Sequence, residues 1–185
     1  MNPLRNLVSI AGITILALLA PSGVASAQKP DSPAITQLLE KVRAHADRAE
    51  YDAQMLENYT RSRMSWESHG SQLETMRHHV NDLISDTNEL TKLRDEGSPW
   101  QQQAIDSIDA LLPEMAAHLT ATIEHYRDNR NRTRMQPYRD LVVANQDFLE
   151  HAHNLIVDYV EYGESKAKTE ALEQQLGVPD SGEGH

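Results

Sequence analysis

The chain has 185 residues, no cysteine and a formal charge of −11, from 28 Asp and Glu against 17 Lys and Arg. No disulfide can form, so stability must come from packing, and so acidic a chain is not a general nucleic-acid binder, because its surface as a whole repels phosphate. Val, Ile and Thr do not fall in period-two runs, so a β fold finds no support.

The N-terminus reads as a leader. Arg5 supplies a short positive region, residues 7–20 are mostly apolar, Pro21 and Gly23 break the run, and Ala25-Ser26-Ala27 is a small-x-small cleavage site. The run is short for a membrane span of roughly 20 residues. Residues 1–27 are therefore expected to be a secretory signal peptide, cleaved before Gln28. No transmembrane anchor would remain, and the protein would work in the periplasm or outside the cell. Residues 28–176 are expected to form one helical domain, and 177–185 a disordered tail.

Ser32-Pro33 reads as the N-cap and first position of a helix. Ile35, Leu39, Val42, Ala46, Ala49, Ala53, Leu56 and Thr60 line one face of it, in steps of four and three. The alanines in the middle would let a neighbouring helix come close. The helix is expected to end at 61–64, with Ser65 capping the next; the lack of Gly and Pro there leaves one uninterrupted helix as the alternative. The second helix carries Trp66, His69, Leu73, Met76, Val80, Leu83, Thr87 and Leu90 at heptad-type spacing, with polar residues between. Gly97 is a candidate left-handed cap. Ser98-Pro99-Trp100-Gln101 follows as a Ser-x-x-Gln capping box with proline at the first helical position.

The third helix shows Ala104, Ile108, Leu111 or Leu112, Met115, Leu119, Thr122 and Tyr126. Pro113 lies inside it, lacks an N–H and crowds the Asp109 carbonyl, so a kink is expected there. Residues 128–136 are a polar connection. Pro137 opens a fourth helix with the stripe Tyr138, Leu141, Asn145, Phe148, Ala152, Leu155, Tyr159 and Tyr162, which Gly163 interrupts. Residues 164–176 are helix-prone but weakly striped; they would overhang, fold back or pair with a second copy, leaving monomer and dimer both open. Four helices of similar length with short turns predict an all-α, antiparallel up-down-up-down four-helix bundle with a kinked third helix and an overhanging fourth.

Three strings carry a resemblance: Ser65-Trp66-Glu67-Ser68-His69, then Ser98-Pro99-Trp100-Gln101-Gln102-Gln103-Ala104-Ile105, and Asp158-Tyr159-Val160-Glu161-Tyr162-Gly163. They resemble a group of exported bacterial helical-bundle proteins of uncharacterised function. The resemblance implies an exported bundle and carries over no catalytic or binding residue, since its motifs are cap and core signals.

Bundle chemistries can be tested one by one. Covalent haem needs Cys-x-x-Cys-His. A ferritin-like di-metal site needs two Glu-x-x-His motifs, and only Glu150-x-x-His153 is present. There is no His-Glu-x-x-His, no phosphate-binding glycine loop and no Gly-x-Ser-x-Gly elbow. A non-enzymatic protein without a resident cofactor is expected. Two distributions remain. Equal distances from the turns place His78, His79, His118, His151 and His153 at one level, where His79, His118 and His151 with Glu114 and Glu150 form a candidate set for a divalent transition metal. The plainer reading is histidines solvated or paired with nearby carboxylates. Arg61 and Arg63 flank the first turn, and Arg127, Arg130, Arg132 and Arg134 crowd the third. An alternating bundle puts these turns at one end, a basic pole able to dock an anionic lipid headgroup, a phosphorylated sugar or an acidic protein partner. The plainer reading is loop arginines offsetting helix dipoles. A holdase-type chaperone is a further reading, and would need a broad exposed apolar patch.

Overall fold

The computed structural model describes residues 29–62 and 64–177. The expected signal peptide, Arg63 and nearly all of the expected tail lie outside the described residues. Among those described the protein is all-helical, without a strand: α1 Pro33–Arg61, α2 Trp66–Leu93, α3 Pro99–Asp109, α4 Leu112–Asp128 and α5 Gln136–Leu176, with 3-10 turns at Arg94–Glu96 and Arg130–Arg132. No helix among these is long and apolar enough to cross a membrane.

Helix α1 packs against α2 and α5, α4 packs against α5, and α2 receives α3 and α4. The periodic residues of α1 and α2 bury as their spacing predicts, from Ile35 to Thr60 and from His69 to Leu90. They form one apolar core with Ile105, Ile108, Leu112, Met115, Leu119, Leu149 and Ile156. The turn between α1 and α2 is real. Its Ser65 caps α2 by accepting the Ser68 N–H, which closes the uninterrupted-helix alternative.

Five expectations change. Trp66 is not core: it keeps 37% of its surface exposed at the very start of α2. Gly97 is extended, at φ −75° and ψ 157°; its smallness serves close approach, since a Cβ there would lie 2.9 Å from Ile35 Cδ1. The third helix does not bend but breaks. Helix α3 stops at Asp109, two residues pass, and Pro113 sits in the first turn of α4. Proline's missing N–H costs nothing in that turn. The buried face of α5 runs Tyr138, Val142, Asn145, Leu149, Ala152, Ile156, Val160 and Gly163. Leu141, Phe148, Leu155 and Tyr159 are only partly buried, and Tyr162 is exposed; these form a second stripe beside the first. Finally, Gly163 does not interrupt α5, which continues for 41 residues to a left-handed Gly177. Beyond Lys166 nearly every side chain is exposed, so α5 does overhang.

Two sets of contacts mark the ends of the molecule. At one, Gln101 and Trp100 at the start of α3 bond to Ser32 and Asp31 before α1, and Lys166 of α5 reaches Asp31. At the other, Tyr126 of α4 bonds to Trp66 of α2, and His69 of α2 meets Tyr138 of α5.

Candidate functional site

The second of these ends is built on an aromatic floor. His69 is fully buried between Tyr59 and Tyr138, edge-on to both at centroid distances of 5.7 and 5.5 Å. Its Nδ1 lies 3.2 Å from the Tyr138 hydroxyl. Burial pushes the Tyr138 phenol far above its ordinary range and lowers the pKa of His69, because neither charged form is solvated there. Tyr126 donates its hydroxyl to the Trp66 carbonyl at 2.9 Å. It can do so only because residue 70 is glycine: a Cβ there would lie 2.3 Å from the Tyr126 hydroxyl. The α1–α2 turn and the α4–α5 connection are thus fastened to a common base.

Above that base is an open cleft of about 610 Å³. Met64, Ser65 and Trp66 form one wall, and residues 130–135 form the other. Arg130 holds its guanidinium 5.5 Å from the centroid of the Trp66 ring, a cation–π arrangement that stiffens a long side chain. Arg132 and Arg134 line the same cleft. Among the described residues no carboxylate comes within ion-pair distance of Arg130, Arg132 or Arg134. Of the other described arginines, Arg48, Arg127 and Arg139 likewise form no ion pair, and four do. Arg43 pairs with Glu40, Arg61 with Glu57, Arg77 with Glu74, and Arg94 with Asp106.

The six arginines predicted from sequence therefore divide. Arg130, Arg132 and Arg134 come together. Arg61 is engaged by Glu57 and does not line the cleft, Arg127 is exposed on α4 near Glu74, and Arg63 lies outside the described residues. Sequence reasoning missed the apolar partners of the site. Heptad spacing places Trp66 in the core, and gives no role to Met64 and Met135, which are 37% and 57% exposed. A large apolar residue beside a turn that also carries arginine was the available signal.

The histidine set does not gather. His79 of α2 points to α1, with Nδ1 2.7 Å from Asp52, whose other oxygen takes Gln72. His118 of α4 packs on Phe148 of α5, with Glu114 at 3.6 Å. His153 of α5 meets Asp47 of α1 at 2.8 Å. His151 is exposed, and Glu150 accepts from Gln146. Among the described residues no group of three His, Asp or Glu could hold a metal ion. The physical reason is geometric. A common level along the helix axes is a ring around the molecule, and its boundary positions fall into different interhelical grooves. Sequence reasoning also missed Asp52, only 5% exposed, whose charge the His79–Gln72 pair accommodates.

Exposed apolar side chains are scattered. Met64, Trp66 and Met135 belong to the cleft, Leu172 and Leu176 to the overhang of α5, and Tyr51, Val143 and Tyr162 to separate helix faces. No family model, no curated protein and no solved structure matches the chain.

Proposed function

We propose that this is an exported, non-enzymatic helical-bundle protein that docks an anionic ligand in the arginine cleft. One observation carries the reading: Arg130, Arg132 and Arg134 line one open cleft beside Trp66, with no carboxylate partner among the described residues. Like charges brought together cost energy unless something opposes them, so the cleft is a site waiting for negative charge. Guanidinium forks suit phosphate and carboxylate oxygens. Met64, Trp66 and Met135 give the ligand an apolar edge to rest on, which favours an anion carrying a nonpolar portion over a bare inorganic ion.

The bundle reading that supports this is the alternating one. In it α1, α2, α3 with α4, and α5 run up, down, up and down, so that the first and third turns meet. The bonds from Trp66 to Tyr126 and from His69 to Tyr138 favour it. Export rests on the leader-like N-terminus.

The test is co-sedimentation with anionic and zwitterionic phospholipid vesicles, with a phosphorylated sugar as competitor, over a range of salt. Each Arg near an anionic surface contributes about 1 kcal/mol. Arg130→Gln with Arg132→Gln and Arg134→Gln should then weaken binding by about two orders of magnitude and flatten its salt dependence. Lys168→Gln, on the overhang, should change neither. Equal losses from both sets, or no binding at low salt to either probe, would remove the proposal.

A further inference from the structure

The opposite end of the molecule holds a second cavity, of different chemistry. The turn at Ser98–Pro99 starts α3 and lays Trp100 against α5. The indole rests on the backbone of buried Gly163, where a Cβ would lie 2.6 Å from Trp100 Cη2. Its Nε1 donates to Asp31 at 2.7 Å, so the ring is fixed from two sides. Tyr159, one turn before Gly163, is fixed as well, its hydroxyl 2.9 Å from that of Ser107. Tyr162 meets Trp100 edge-to-face at 5.4 Å. These three rings, with Leu155, Gln103 and Asp158, line a cavity of about 350 Å³, near the small end of the roughly 300–1,000 Å³ usual for small-molecule sites.

The charge at its rim decides the class of occupant. Asp158 is exposed, and among the described residues no cation pairs with it. Lys166, two turns further along α5, is held by Asp31 and Glu170, so its charge is already matched. An anion would meet Asp158 unfavourably. A small hard cation needs several oxygen ligands, and the walls offer mostly carbon. A large, weakly hydrated organic cation suits both features, because aromatic faces attract cations and the carboxylate supplies the opposing charge.

We propose that this cavity binds an organic cation, its quaternary ammonium or N-methylated amine head set among Trp100, Tyr159 and Tyr162 beside the Asp158 carboxylate. The site does not depend on the arginine cleft and would stand if that reading fell.

Nuclear magnetic resonance titration of the protein with choline tests it, using the uncharged isostere 3,3-dimethylbutan-1-ol as the comparison. Choline should saturably shift the Trp100 indole N–H and leave that of Trp66 in place. It should bind about tenfold more tightly than the isostere, as a cation–π and ion-pair contribution implies. Asp158→Asn, at an exposed position, should remove most of that preference without altering isostere binding. Gly163→Ala, whose methyl must displace the indole, should weaken both ligands. The proposal is overturned if choline produces no saturable shift through the millimolar range, if the isostere binds as tightly, or if Asp158→Asn leaves the preference intact.

Discussion

Acidification should destabilise this protein, and His69 should carry a definable part of the loss. The ring is fully buried, and its Nε2 is enclosed without a hydrogen-bond partner. Burial holds its pKa below the ordinary 6.5; the Tyr59 backbone opposes that shift and the Arg134 charge adds to it. In the unfolded chain the same ring titrates near 6.5. As pH falls through that value the unfolded state binds a proton that the folded state refuses, so stability declines with pH. The decline begins near the unfolded pKa and ends where the buried ring itself protonates. A group already half protonated at the start contributes at most about 1 kcal/mol over the first unit of acidification, or no more than roughly 2–4 °C in Tm for a domain of this size. Urea unfolding of the parent protein and His69→Phe, run between about pH 7.5 and 5, isolates the contribution, because every other ionisable group is common to both proteins. The variant should lose less stability than the parent between about pH 6.5 and 5.5, by up to about 1 kcal/mol. Identical pH slopes, or a steeper one in the variant, would refute the argument that the buried ring excludes its proton.

Two further outcomes follow from single contacts. Gln101 is fully buried; its Oε1 accepts from the Ser32 and Ser98 N–H groups, and its Nε2 donates to the Ser32 carbonyl and Thr36 hydroxyl. Gln101→Ala strands several of these at roughly 1–3 kcal/mol each, so urea unfolding should show a loss of at least about 2 kcal/mol, and a smaller change than from Gln102→Ala would contradict the bonding. Gly70→Ala must push the Tyr126 hydroxyl off the Trp66 carbonyl; it should lower Tm by a few degrees and loosen Trp66, read as a red-shifted and more quenchable fluorescence, and an unaltered spectrum would mean that Tyr126 does not hold that turn.

The elements were legible in the sequence because each was marked twice. Helix α2 shows both an N-cap at Ser65 and a continuous stripe from His69 to Leu90. Helix α3 shows Ser98, Pro99 and Gln101 before its apolar run, and the Gln101 half of the expected capping box is formed, its Oε1 accepting from the Ser98 N–H, while the Ser98 hydroxyl has no hydrogen-bond partner among the described residues. Helix α5 was harder, because it carries two adjacent stripes. Leu141, Phe148, Leu155, Tyr159 and Tyr162 are larger than Val142, Leu149, Ile156, Val160 and Gly163 taken together, and size was mistaken for burial. Packing kept Tyr138, Asn145 and Ala152 on the buried face and added Val142, Leu149, Ile156, Val160 and Gly163, while Leu141, Phe148, Leu155 and Tyr159 lie only partly buried beside it. The aromatic cavity lies along that partly buried stripe, so the same misreading hid it. The arginine cleft was half legible. Spacing brought two turns to one end, but which guanidinium groups remain unpaired depends on where Glu57 and Glu74 fall around their helices.

The histidines and the arginines were inferred by the same argument from level, and the three arginines that share a cleft all come from one connection. A level on a helical bundle is a ring, and residues on it converge only where the ring closes over an end. The arginines sit in connections, which cross that end; the histidines sit mid-helix, where the core separates them. The same geometry explains how an acidic chain can present a basic cleft. Helix α2 has 28 residues, about 42 Å at 1.5 Å per residue, while exposed charges are screened over about 8 Å at physiological salt. The sign of each end is then set by the side chains within a turn or two of it, and not by the net charge of −11. Net charge bears on the surface as a whole and does not fix the sign at the arginine cleft. By the same reasoning a ligand at one end cannot act electrostatically on the other. Any coupling would have to pass through the helices themselves, along the alanine seam of α1 at Ala46, Ala49 and Ala53, where its neighbours α2 and α5 pack.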